Sequence, residues 1–210
     1  VDPGGKGINV SRALATNGFA TRAVVAIGGA EGEHLVALLR DTGIEIVPVR
    51  IRGAIRSNIT VAEPDGTTTK FNEPGAELSD EELAAVFSAV KAAVGSAAWL
   101  VASGSVPPGT PAGCYADLVR SLAGSGTSVA VDTSGPALEA VLAAGPNLVK
   151  PNRDELAEVT GQRLETITDV IEAANRLRDR GARAVLASLG RDGAVLVDDD
   201  GAIHGRTPAV

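Results

Sequence analysis

Short runs of apolar, β-branched residues alternate along this chain with longer Ala- and Leu-rich stretches. Arg22–Gly29 (RAVVAIGG) reads as a buried strand, and Glu31–Gly43 as a helix in which Leu35, Leu38 and Leu39 share a face and Gly43 can end it. Ala97–Ser105 (AAWLVASGS) gives a second strand with a helix over about 111–123. Ser128–Gly135 (SVAVDTSG) gives a third, with a helix over about 136–144. Asn147–Asn152 (NLVKPN) gives a fourth, with a helix from Arg153, and Arg183–Gly190 (RAVLASLG) a fifth. This alternation predicts an α/β fold: a doubly wound, mostly parallel sheet with helices on both faces, built as one domain over 1–210.

One region breaks the rhythm. Ser57–Gly75 holds two short alternating runs joined by Pro64–Gly66 (PDG), with no helix between them. That pattern predicts a β-hairpin inserted over about 50–75. Such a hairpin serves either as a lid at a sheet edge or as a plain edge ornament.

Composition narrows the classes of function. Aromatic residues are 2% of the 210, so the core must be built from Val, Ala, Leu and Ile, and stacking platforms are excluded. The net charge of −7 argues against a nucleic-acid surface, and any anionic ligand must be held by a local positive cluster. One cysteine, Cys114, excludes an internal disulfide and a cysteine-based zinc site and suits a reducing cytoplasm; it reads as a packed thiol. No apolar run reaches membrane-spanning length.

Candidate chemistry gathers after the strands, where open α/β sheets bind ligands. Gly28 and Gly29 follow the first strand; Ser103, Gly104 and Ser105 the second; Asp132, Thr133 and Ser134 the third; Lys150, Asn152 and Glu155 the fourth; Ser188 and Gly190 the fifth. Helix caps alone explain any one of these; five in series point to a site. Lys150–Glu155 (KPNRDE) suits a nucleotide, with lysine on phosphate oxygens and glutamate on Mg²⁺, or else carries a carboxylate that merely satisfies a helix dipole. Near the start, Pro3–Leu14 (PGGKGINVSRAL) sets glycines and Lys6 before a helix, which is either an anion site or a flexible turn. The P-loop signature is absent, because Lys6 is followed by Gly7. The dinucleotide fingerprint fails as well. His34 and His204 read as surface histidines, and Trp99 as a core residue.

Taken together, GGKGINVSRAL, SGSVPPG, VDTSG, KPNRDE and SLGRDGA resemble, in order and spacing, the PfkB or ribokinase-like carbohydrate kinases. Within that family, GGKGIN with its lysine, RSNIT and KFNEPG are similar to the branch of 1-phosphofructokinases and tagatose-6-phosphate kinases. The resemblance implies ATP-dependent phosphorylation of a ketohexose phosphate, foremost fructose 1-phosphate to fructose 1,6-bisphosphate, with ATP and Mg²⁺. It implies sugar binding by Gly5 and Asn9, phosphate binding by Lys6 and Arg56, and a pocket wall at Ser105. Lys150 and Asn152 would face the ATP phosphates, Ser188, Gly190 and Gly193 would hold nucleotide, and Glu155 with Asp132 would organise the metal. A homodimer through the hairpin, helped by Ile59 and Val61, and a cytoplasmic location go with it.

The family's base lies in a Gly-Ala-Gly-Asp motif that this sequence does not contain, and Asp2 stands too close to the glycines to be the family's upstream substrate-binding aspartate. The resemblance thus reads as an internal portion of a kinase, inactive alone. Other substrates of the branch (tagatose 6-phosphate, fructose 6-phosphate) and a non-catalytic sugar-phosphate or nucleotide-binding protein are the alternatives.

Overall fold

A computed structural model describes residues 2–63 and 67–206. The chain packs into two compact units: Val1–Gly95 with Pro107–Thr110, and Ser96–Val106 with Pro111–Val210. Each is described by itself.

The first unit runs α1 (Lys6–Thr16), β1 (Arg22–Ile27), α2 (Gly29–Leu39), β2 (Glu45–Arg50), β3 (Asn58–Ala62), β4 (Thr68–Asn72) and α3 (Asp80–Val94). β1 and β2 pair in parallel, Ala23 opposite Ile46 and Val25 opposite Pro48. Alternation along β1 sends Ala23 and Val25 to one face, where Ile8 and Ala15 of α1 and Leu35 and Leu39 of α2 pack with them. Arg22 points to the other face, and its guanidinium donates to the Ala93 carbonyl of α3 at 2.8 Å. Helices therefore cover both faces of this pair. Gly32 lets α2 close down on β1, since a Cβ there would stand 3.1 Å from that of Ile27.

The second unit runs β5 (Trp99–Ser103), α4 (Cys114–Ser121), β6 (Ser128–Asp132), α5 (Gly135–Leu142), β7 (Leu148–Val149), α6 (Arg153–Thr160), α7 (Ile167–Asp179), β8 (Ala184–Ser188), a 3-10 turn (Gly190–Asp192), β9 (Ala194–Asp198) and β10 (Gly201–Gly205). Its sheet has the order β10-β9-β8-β7-β6-β5, parallel from β5 to β8 and antiparallel beyond. Fully buried Val131, Val149 and Val185 stand in register across three parallel strands. Leu138, Leu142, Leu156, Val170 and Leu177, from the crossover helices, are buried with them. Complete burial of each such side chain contributes about 1.5–3 kcal/mol. The mostly parallel α/β architecture is the one the alternation predicts.

Several local expectations change. β2 was not anticipated, because Pro48 and its polar flanks mask the strand; the proline is tolerated because β2 pairs on one side only. β7 keeps only two residues, as Lys150–Asn152 already turn into the cap of α6. Trp99 is no core residue: it is 51% exposed on β5, which forms an edge of its sheet. Cys114 is buried as expected, and burial raises its thiol pKa. The hairpin exists as β3–β4, with Ile59 opposite Phe71; its Pro64–Gly66 turn lies outside the described residues.

Candidate active site

Within the second unit, the carboxyl ends of the parallel strands bring the expected polar residues together. Ser103 of β5 stands in register with Asp132 of β6, and the Gly104 N–H donates to the Asp132 carbonyl at 2.8 Å. Ser105, exposed, follows at once, so its loop is tied to the end of β6. The Lys150 N–H donates to the Val131 carbonyl at 2.9 Å, which carries the register one residue past β7. Lys150 Nζ then lies 3.3 Å from Asp132 Oδ2. Asp132 is 7% exposed and Lys150 only partly covered, so the pair presents an ammonium outward from a buried carboxylate.

Asn152 caps α6 in a reciprocal box. Its Oδ1 accepts from the Glu155 N–H at 2.9 Å, and Glu155 Oε2 accepts from the Asn152 N–H at 2.8 Å. The carboxylate is thereby fixed in the first turn of α6, which follows β7, the strand beside β6 and its Asp132. Asn152 also bridges to Ser188, whose N–H donates to the Pro151 carbonyl at 3.0 Å. Beyond Ser188 the chain folds into a tight turn closed by Leu189 N–H to Gly193 carbonyl at 2.8 Å. Gly193, at φ 88°, is obligatory: a Cβ there would sit 2.0 Å from the Gly205 carbonyl oxygen.

Of three further residues here, Ser103 and Thr133 were among those expected at the strand ends, and Tyr115 was not. The Ser103 hydroxyl is buried without a hydrogen-bond partner among the described residues, and Thr133 is buried beside Asp132. Tyr115, the chain's one tyrosine, has its phenol pushed up to about 12 by burial first, then by nearby Cys114 and Asp132. It stays a neutral hydroxyl beside the Asp132–Lys150 pair. Its place near the amino end of α4 was the only available hint.

The first unit holds Gly5, Lys6, Asn9 and Arg56. Gly5 is the N-cap of α1 at φ 111°, Lys6 is its first residue, and the Asn9 N–H donates to the Gly5 carbonyl at 2.9 Å. Lys6 and Asn9, three apart, share a face of the helix start. No acidic residue occupies that first turn and no side chain caps it, in contrast to the boxed starts of α3, α6 and α7. The positive end of α1 is thus uncompensated from within the helix. Arg56 stands at the root of the hairpin: a Cβ on Gly75 would lie 3.6 Å from its Cδ, and the Ser57 N–H donates to Glu73 Oε2 at 2.8 Å. RSNIT and NEPG, separate in sequence, therefore meet there. Behind them the chain crosses itself closely, since a Cβ on Gly28 would strike the Gly53 carbonyl at 2.0 Å and one on Gly53 would meet Ala76 at 2.4 Å. His34 and His204 are both exposed.

Among the described residues no group of three or more His, Cys, Asp or Glu gathers as a metal site, and no helix is long and apolar enough to cross a membrane.

At the strand ends of this mostly parallel α/β chain, Lys150 and the capped start of α6 stand together. The profile of the pfkB family carbohydrate kinases matches residues 1–210, and the chain belongs to that family. It is 39% identical over 212 residues to the ATP-dependent 6-phosphofructokinase isozyme 2 of Escherichia coli K12, covering all of this chain and 68% of that protein. It is 38% identical over 212 residues to the 1-phosphofructokinase of Rhodobacter capsulatus, covering all of this chain and 67% of that one. The crystal structure of Escherichia coli phosphofructokinase-2 in complex with fructose-6-phosphate superposes with a TM-score of 0.91 at 39% identity, over 100% of this chain and 70% of that one. The chain spans about two thirds of the length of these relatives.

Proposed function

We propose that this protein is an ATP-dependent sugar-phosphate kinase that converts fructose 1-phosphate to fructose 1,6-bisphosphate. Family membership supports the reaction class. The relatives' names divide between fructose 6-phosphate and fructose 1-phosphate kinases at nearly equal identity, 39% and 38%. The choice of fructose 1-phosphate follows the GGKGIN, RSNIT and KFNEPG motifs, and one observation supports a substrate that already carries a phosphate: Lys6 opens α1, whose first turn contains no acidic residue. A second cation, Arg56, stands where the two hairpin motifs meet. Such groups suit the phosphate a substrate already carries, and they explain how a protein of net charge −7 takes an anion.

In this reading Gly5 lets the backbone approach the sugar, Asn9 hydrogen-bonds its hydroxyls, and Ser105 lines the pocket. Lys150 offers its ammonium to the ATP phosphates from the buried Asp132, Asn152 borders them, and Ser188, Gly190 and Gly193 shape the nucleotide turn. The donor set fits Mg²⁺, which keeps waters and is commonly held by one or two carboxylates together with phosphate oxygens. Asp132 and Glu155, at adjacent strand ends, would hold it, and the ion would supply charge neutralisation on the phosphates. Catalysis of this type is mostly positioning and electrostatics plus a base for the attacking hydroxyl. The family's Gly-Ala-Gly-Asp base is not among these 210 residues, so residues 1–210 alone are expected to be inactive. Ile59 and Phe71, 56% and 58% exposed and paired across the hairpin, support a lid-to-lid homodimer. A cytoplasmic setting suits the single buried thiol. The test is ADP release by the protein from its complete reading frame with fructose 1-phosphate, fructose 6-phosphate and tagatose 6-phosphate.

A further inference from the structure

The turn after β8 is held by a charged cluster that the proposed chemistry does not use. Asp192, inside the turn, receives Arg153 Nη2 on Oδ2 at 3.0 Å. Arg206 Nη2 stands 3.9 Å from Oδ1, and His204 Nε2 lies 2.8 Å from the Asp192 carbonyl. A carbonyl only accepts, so Nε2 carries the proton. Arg153 also donates to the Leu164 carbonyl at 3.4 Å. Asp192 thus ties together three segments: the start of α6, its own turn and β10. These groups, with Glu165 and Ile167, line a pocket of about 130 Å³. Asp192 is paired with both Arg153 and Arg206, and Glu165 pairs with Arg163 at 3.0 Å, so the cluster is laced by ion pairs and is a latch rather than a free anion site.

The latch has a direction. Arg153 is the first residue of α6, directly after Lys150, Pro151 and Asn152, and it stands two residues before Glu155 in the same first turn. Asp192 lies between Gly190 and Gly193. The pair therefore sets the turn against the Lys150–Glu155 junction, while Gly193 lies hard against β10. Both groups are partly exposed, 31% and 45%, so the pair adds little to global stability. Its effect falls on the order of the turn, and a turn ordered beforehand spares the ligand that cost on binding.

We propose that Asp192 is a positioning residue that, through Arg153, holds the Ser188–Gly193 turn in register with the Lys150–Glu155 junction and so pre-forms the nucleotide phosphate site. This rests on the reading that these two segments hold nucleotide. The experiment uses the protein from its complete reading frame and the variants Asp192→Asn, Arg153→Met and the double. It measures the dissociation constant of ATP by calorimetry, KM for each substrate, kcat and the melting temperature. Each single variant is expected to weaken ATP binding about three- to fivefold, the scale of an exposed charge pair. The double should be no worse than either single. KM for the sugar phosphate, kcat and the melting temperature should stay nearly unchanged, and 1 M NaCl should narrow the gap between parent and variants. Unchanged ATP affinity in the singles, or losses that simply add in the double, would overturn the latch. If Asp192→Asn fails to fold, Arg153→Met decides alone. A parent that binds no ATP would overturn the nucleotide reading itself, a result distinct from a parent that binds ATP and variants that bind it equally well.

Discussion

Lys150 Nζ stands 3.3 Å from Asp132 Oδ2, an exposed-side ammonium anchored on a nearly buried carboxylate at neighbouring strand ends. Removing the lysine breaks that ion pair. Because Lys150 is itself partly open to water, Lys150→Met should cost about 1–2 kcal/mol, below the cost of breaking a fully buried pair. It should raise KM for ATP at least tenfold. Denaturant unfolding and steady-state kinetics check the two halves separately; a stable variant with unchanged KM for ATP would remove Lys150 from the phosphate site.

Glu155 serves the cap of α6, so its substitution must separate capping from metal binding. Glutamine keeps the box, and Glu155→Gln should change stability by no more than about 0.5 kcal/mol. The Mg²⁺ concentration for half-maximal activity should rise several-fold. Asn152→Ala, which loses the cap itself, should cost about 1 kcal/mol. An unaltered Mg²⁺ requirement in Glu155→Gln would leave Glu155 a capping residue only.

Arg56 rises from the hairpin root beside Gly75. A charge-assisted contact contributes about 1.5–3 kcal/mol, so Arg56→Ala should raise KM for the sugar phosphate about ten- to a hundredfold and leave KM for ATP near its parent value. Equal effects on both substrates would place Arg56 outside the sugar pocket.

Tyr115 links the site to alkaline stability. Its pKa is pushed from 10 to about 12 in the folded chain, so the folded state keeps a proton that the unfolded state has released between those values. That contribution is whole below pH 10 and is lost as the pH rises through 12, at most about 3 kcal/mol. Tyr115→Phe should flatten the fall in stability over pH 10–12, read by denaturant melts; an unchanged slope would mean that another group titrates there.

Much of this arrangement was legible in the sequence because α/β chains write their periods plainly. β1, β5, β6 and β8 fall where the apolar runs do, and the hairpin announced itself by alternation without a helix. What was hidden depends on tertiary context. Pro48 is admissible only because β2 pairs on one side, and Trp99 is exposed with Val101 on one face of β5. Glu155 has two physical reasons to stand where it does, and the geometry shows its part in the helix start as a reciprocal pair of hydrogen bonds with Asn152. The Asp192 cluster joins residues 11–39 positions apart in the chain, which no local pattern can announce.

The most direct test of the central claim is the specificity constant of the protein from its complete reading frame with MgATP and each of the three sugar phosphates, read by coupled ADP release. The reading as a fructose 1-phosphate kinase predicts kcat/KM for fructose 1-phosphate at least about tenfold above that for fructose 6-phosphate and tagatose 6-phosphate, a margin attainable when one site pairs a substrate group that the others misplace. A preference for fructose 6-phosphate, or ADP release that no sugar phosphate stimulates, would contradict it.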